Sequence, residues 1–220
     1  MTRSGLSWVF GWLCAKLGRG RALASEACSK VPARTLQELI AYVKAHPGEL
    51  NYGSSGNGTI LHLGAAMFVQ QAQLDIPHIP YKGMGPLMTD LLSGQIQLAV
   101  VAVAPALPHI QSGSVRALGT TSAQRTVSLP DVPSIAEQGL PQYALDGWIA
   151  AIAPAGIAQA EVDRLYQGFR QGIATPEAHQ ALVVQGYDIQ CMPPAESARF
   201  IASEKLRMEA VVKAARISMD

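Results

Sequence analysis

Residues 51–63 read NYGSSGNGTILHL. A short strand over Leu50–Gly53 runs into a loop of glycine and serine, and the loop runs into apolar Ile60, Leu61 and Leu63. Strand, tight loop and helix in succession form the first half of a βαβ unit. The loop carries chemistry as well as shape. Glycine lets a ligand approach the backbone with no Cβ in the way, and Ser54, Ser55 and Thr59 can add hydroxyl donors. A helix opening near Gly58 presents unpaired N–H groups and roughly half a positive charge from its dipole. Gly53, Gly58 and Thr59 have the spacing of a nucleotide P-loop, yet Thr59 stands where the lysine belongs. A triphosphate needs that cation; a carboxylate can rest on neutral donors. Loop chemistry alone leaves two readings, an anion cradle or a tight turn ahead of a capped helix.

The alternation continues on both sides. TLQELIAYVKAHPG (35–48) opens on a capping box, Thr35 with Glu38, repeats Leu36, Leu39, Ile40 and Val43 at helical spacing, and stops at His46-Pro47-Gly48. Ile60, Leu63, Gly64, Met67 and Phe68 share one helical face. IPHIPY (76–81) predicts a strand, Lys82–Gly85 a turn, and Pro86 the first position of a helix through Leu92. IQLAVVAVA (96–104) is a continuous apolar run, the pattern of a strand buried on both faces. PALPHIQSG (105–113) predicts a short helix and VRALGTTS (115–122) another strand. QRTVSLPDVPSIAEQGLPQY (124–143) reads as a passage between domains. LDGWIAAIAPAGI (145–157) follows as a strand and turn, then helices over 159–173, 175–184 and 194–215. Such alternation implies right-handed crossovers and a mostly parallel sheet. Ligands on these sheets bind outside the carboxyl ends of strands, so the 53–59 and 82–85 loops are expected on one rim.

Composition narrows the function. Of 220 residues, 49% are apolar and 15% charged, enough to bury a core in one large domain or two small ones. A net charge of +1 without charge runs argues against nucleic acid as the main partner. Cys14, Cys28 and Cys191 have neither disulfide-framework nor metal-ligand spacing. No nucleophile elbow or histidine metal motif is present, and Asp90, Asp131 and Asp146 are not spaced as an acid/base pair. No catalytic residue, metal or cofactor is therefore assigned. His62 is read as a core or solvated histidine rather than a site residue. Tyr81 and Lys82 read evenly as ligand contacts or ordinary surface, and Trp148 as core packing before ligand stacking.

Residues 1–27, MTRSGLSWVFGWLCAKLGRGRALASEA, sketch a signal peptide: a basic start, an apolar centre and Ala22-Leu23-Ala24. Lys16, Arg19 and Arg21 end the apolar run too early. A short helix packed on the body, or sequence foreign to the fold, is expected instead. The run is shorter than the ~20 residues that span a bilayer, so no transmembrane helix is predicted.

From about Val31 onward, the segments ELNYGSSGNGT, IPYKGMGPLMTDLLSGQIQL, ALPHIQSGSVRALGTTSAQR, LPDVPSIAEQGLP and APAGI follow one another in a distinctive order. In order and spacing they resemble the Bug family, the periplasmic substrate-binding proteins of tripartite tricarboxylate transporters. The resemblance implies an α/β, periplasmic-binding-protein-like (type II) fold. It further implies non-catalytic capture of a di- or tricarboxylate or acidic amino acid between two lobes, and delivery to membrane permease subunits. It places ligand contacts at Ser54, Ser55, Gly56, Asn57, Gly58 and Thr59, with Tyr81, Lys82 and Gly83 beside them. Family members extend further at the N-terminus, and Val101 and Ala102 stand here where an Asp-Asn pair is usual. The expected organisation is an atypical segment over 1–30, a near-complete βαβ lobe over 31–140, and a mostly helical remnant of the other lobe over 141–220. Periplasmic location follows from the resemblance, while export lacks a convincing leader. The alternative is a truncated, non-binding remnant, or an interaction module that self-associates through an exposed sheet edge. A hydrolase using Ser55 and His62 is a poorer third.

Overall fold

The computed structural model describes residues 4–7, 12–16, 31–126, 129–154, 156–184, 187 and 189–214. The elements begin with β1 (Ser4–Ser7), β2 (Trp12–Lys16), α1 (Leu36–Ala45), β3 (Tyr52–Ser54) and α2 (Ile60–Gln71). They continue with β4 (His78–Pro80), α3 (Met84–Ser93), β5 (Leu98–Val101), α4 (Val103–Gln111) and β6 (Val115–Thr120). The last are β7 (Trp148–Ala151), α5 (Gln159–Ile173), α6 (Pro176–Val184), β8 (Gln190–Met192) and α7 (Pro194–Ala214).

Five strands make the larger sheet, in the order β4-β3-β5-β2-β6. Its centre is built as the apolar run predicts. Every residue of β5 is 1% exposed or less. Leu98 and Val100 pack into a core with Leu36, Leu39 and Phe68, whereas Ala99 and Val101 pack with Leu87, Leu91 and Ala106. Alternate side chains point to opposite faces, so α1 and α2 cover one face and α3 and α4 the other. β3 pairs in parallel with β4 and with β5. The chain leaves β3 through α2 to reach β4 on one side, then returns through α3 to β5 on the other. Successive crossovers thus part in opposite directions between β3 and β5, which makes a switch point at their carboxyl ends.

The N-terminal segment corrects an expectation. Its described residues are strands rather than a helix, and they join both sheets. β2 runs antiparallel between β5 and β6. β1 is the middle strand of a second sheet, order β7-β1-β8, antiparallel to both neighbours. β5 and β6 need a partner for their facing backbone groups, and an extended segment supplies it. The edge of β5 is therefore occupied rather than open to another copy. The Ala22–Ala24 motif lies outside the described residues.

The supposed passage over 124–143 is not a free linker. Ser134 and Glu137 form a reciprocal cap: the Glu137 N–H donates to Ser134 Oγ at 3.1 Å and the Ser134 N–H to Glu137 Oε2 at 3.2 Å. Ile135 between them is fully buried, and Ser134 bridges to Thr120 at the end of β6. Tyr143 and Leu145 then sink against α2. Tyr143 Oη donates to the Gly64 carbonyl at 2.9 Å. A Cβ at Gly64 would come within 2.8 Å of Leu145 Cδ2, so glycine permits this close approach.

Boundaries differ from the sequence expectation where helix and strand signals overlap. α3 starts at Met84, placing Pro86 in a first turn whose N–H groups have no helical partner. The apolar run 96–104 is strand only to Val101; Ala102 is already the N-cap of α4. Among the described residues no helix is long and apolar enough to cross a membrane.

Candidate functional site: a crevice at the carboxyl ends of β3 and β5

The loop after β3 is shaped by two glycines in left-handed territory, Gly56 at φ 141° and Gly58 at φ 71°. Thr59 caps α2: its Oγ1 accepts from the His62 N–H at 3.3 Å and donates to the Gly56 carbonyl at 2.8 Å. Ser55 Oγ donates to Thr59 Oγ1 at 3.4 Å, and Asn57 is exposed. Ser54 is fully buried, and its Oγ lies 2.7 Å from His78 Nε2. The second loop is stitched to the first, because the Tyr81 N–H donates to the Ser54 carbonyl at 2.9 Å and the Gly83 N–H to the Ser55 carbonyl at 3.1 Å. The nine residues singled out in the sequence thus meet as one rim. Tyr81 Oη donates to Asp90 Oδ2 at 2.7 Å. Burial first, then this bond and the Asp90 charge, push the phenol up to about 12. Lys82 is exposed.

Beneath the rim lies a feature the sequence did not reveal. The rings of His62 and His78 stack at 4.0 Å and 12°, and His78 stacks on Tyr52 at 4.8 Å and 24°. The Gly58 N–H donates to His62 Nδ1 at 3.1 Å, which assigns the neutral ring proton to Nε2. Burial lowers the pKa of His62. Burial and the neighbouring His62 lower that of His78 to about 4. Two cationic imidazoles would repel face to face, so the stack is a neutral one. Positions 62 and 78 sit on a helix and a strand, and no periodicity links them.

These contacts dispose of the Ser55–His62 hydrolase. Ser55 reaches Thr59, and His62 presents Nδ1 to Gly58. Among the described residues no group of histidine, cysteine and carboxylate side chains is arranged to hold a metal ion.

A cavity of about 530 Å³ opens at the switch point. One wall is Ile60 and Leu61 from the first turn of α2, with Ala102, Ala104 and Pro105 at the start of α4. The facing wall is Asp146, Gly147, Trp148, Ile149, Tyr187 and Met208. The first wall thus begins one residue past Thr59, the last residue of the glycine loop. Neither helix has an acidic residue in its first turn, and Ala102 supplies no side-chain cap to α4. Both helix starts bring partial positive charge to the same space. Trp148 is half-buried: it lines the cavity and meets the Phe200 ring edge-on at 6.0 Å and 76°. Tyr187 and Met208 carried no recognisable signal, because they come from distant segments that only the tertiary fold brings together.

The chain matches the family model described as tripartite tricarboxylate transporter family receptor over residues 21–217. It is 33% identical over 184 residues to protein BugT of Bordetella pertussis, covering 84% of this chain and 56% of that protein. It is 32% identical over 186 residues to a UPF0065 protein from the tcbD-tcbE intergenic region of a Pseudomonas species, covering 84% and 55%. The chain therefore spans little more than half the length of these relatives. Among solved structures, an R. palustris protein with adipate superposes with a TM-score of 0.82 at 26% identity, covering 99% of this chain and 70% of that one. The periplasmic binding protein BugD does so at 0.80 and 25%, covering 98% and 69%. These agreements in sequence and fold bear out the resemblance read from the loop series: the chain belongs to the tripartite tricarboxylate transporter receptor family, a family of receptors rather than enzymes.

Proposed function

We propose that this chain captures a small carboxylate in the crevice between the starts of α2 and α4 and the facing 146–149 segment, for delivery to the membrane subunits of a transporter in the periplasm. One observation carries the reading. The cavity sits where two crossovers part, the place where open α/β sheets hold ligands, and two helix starts without acidic residues border it. The N–H groups of the first turn of α2 are suited to an anion. None of the rim residues Ser55, Gly56, Asn57, Gly58, Thr59, Tyr81, Lys82 and Gly83 lines the cavity itself; the rim adjoins it at Thr59, next to Ile60, and the carboxylate is placed at that end. Ser54, buried against His78, holds the loop in shape. The adipate bound by the R. palustris neighbour supports the ligand class. Lobe closure about the 140–147 connector would then enclose the ligand.

Isothermal titration calorimetry against mono-, di- and tricarboxylates tests this. Saturable binding by at least one carboxylate is expected, with an affinity that falls about tenfold in Gly58→Ala as the loop is strained. No heat from any carboxylate at millimolar concentration overturns it.

A further inference from the structure

We propose that the cavity selects a monocarboxylate with an apolar body, an aryl- or alkyl-carboxylate, over di- and tricarboxylates. This rests on the carboxylate reading above and names the substrate class of the same site.

The lining decides it. Ile60, Leu61, Pro105, Trp148, Ile149 and Met208 give the cavity an apolar interior, and no lysine or arginine is among the described lining residues. Among the described lining residues the one charged side chain is Asp146, an anion. A first carboxylate finds partial positive charge at the helix starts; a second would have to lie against apolar surface or near Asp146. Burying an unpaired carboxylate there is costly, and the like charge adds to the cost. Arg207 acts on the Asp146 charge and is shared with Glu204. It forms a double hydrogen bond with Glu204, at 2.7 and 2.8 Å, and donates to the Ala144 carbonyl. Asp146, Arg207 and Glu204 by themselves sum to one negative charge. An apolar body, by contrast, gains from each group it removes from water. The Trp148 indole, braced by Phe200, offers a flat face for stacking. A volume of about 530 Å³ is within the range of small-molecule sites and accepts a body of aryl-alkanoate size.

The R. palustris neighbour binds a dicarboxylate, so the two proteins should differ in a direct test. Calorimetry on the full chain uses cinnamate, octanoate, adipate and citrate, with cinnamamide as the uncharged control. Cinnamate or octanoate is expected to bind at least tenfold more tightly than adipate and citrate, and cinnamamide at least tenfold more weakly than cinnamate. Trp148→Leu should weaken cinnamate more than octanoate. Adipate or citrate within tenfold of both monocarboxylates overturns the selectivity and leaves carboxylate capture standing. Cinnamamide within tenfold of cinnamate, or no binding by any of the four acids, overturns the carboxylate reading itself and the selectivity with it.

Discussion

The two walls of the cavity come from lobes of very different construction. On one side, β5 is buried on both faces, and helices α1 to α4 contribute buried residues to two cores. On the other, from Trp148 to the end of α7, Val162 and Ser197 are the only buried residues among those whose burial is described. Ile149, Ile152, Leu165, Phe169 and Leu206 are exposed there. The dense lobe is stabilised by its own apolar burial. The sparse one depends on what ties it to the rest: β1 between β7 and β8, Tyr143 and Leu145 in the connector, and Arg207 on the Ala144 carbonyl. Under the proposed function, closure would bring the sparsely packed side towards the densely packed one.

The sharpest way to break this contrast is a matched pair of phenylalanines. Phe68, 1% exposed, should cost about 3–5 kcal/mol when replaced by alanine. Phe169, 42% exposed, should cost within about 0.5 kcal/mol. Urea denaturation of both variants gives the two values, and equal costs would show that the second lobe has a core of its own. A smaller effect is expected at the tether. Tyr143→Phe removes the bond to the Gly64 carbonyl and leaves that acceptor buried, costing about 1–2 kcal/mol. Hydrogen exchange should rise most in the connector; an increase confined to α2 would argue against a tethering role.

Acid offers the mildest probe, and it acts on the dense lobe. His78 titrates near 4 when folded against an ordinary 6.5. Between these values the unfolded chain binds a proton that the folded stack refuses. The stabilisation is thus complete above about 6.5 and is lost as pH falls towards 4, on the order of 1 kcal/mol once partial exposure is allowed for. Denaturation midpoints at pH 7, 5.5 and 4 should fall in the native protein and fall less in His78→Asn. Parallel slopes would exclude the stack as their source.

Much of the dense lobe was legible because its signals are local. The Thr35–Glu38 cap, the 96–104 apolar run and the glycine loop each speak within a few residues, and the folded elements follow them closely. The strands at Ser4–Ser7 and Trp12–Lys16 were not legible. Each is only four or five residues long, without turn chemistry to frame it, and its place depends on partners far along the chain. The site divides the same way. The rim from Ser54 to Thr59 is a local motif, but the facing wall at Asp146, Tyr187 and Met208 exists only after the chain has folded back. Likewise, the His62–His78 stack joins two elements that no short-range pattern connects.

The placement of β1 bears on how the molecule comes into being. Its residues pair with Trp148–Ala151 on one side and Gln190–Met192 on the other. During synthesis that strand emerges long before either partner, and it must wait unpaired while most of the polypeptide follows. Closure over such long sequence separations is slow. The second sheet is therefore expected to zip up last, after the first lobe has already condensed, and a holding chaperone would find its substrate in that interval.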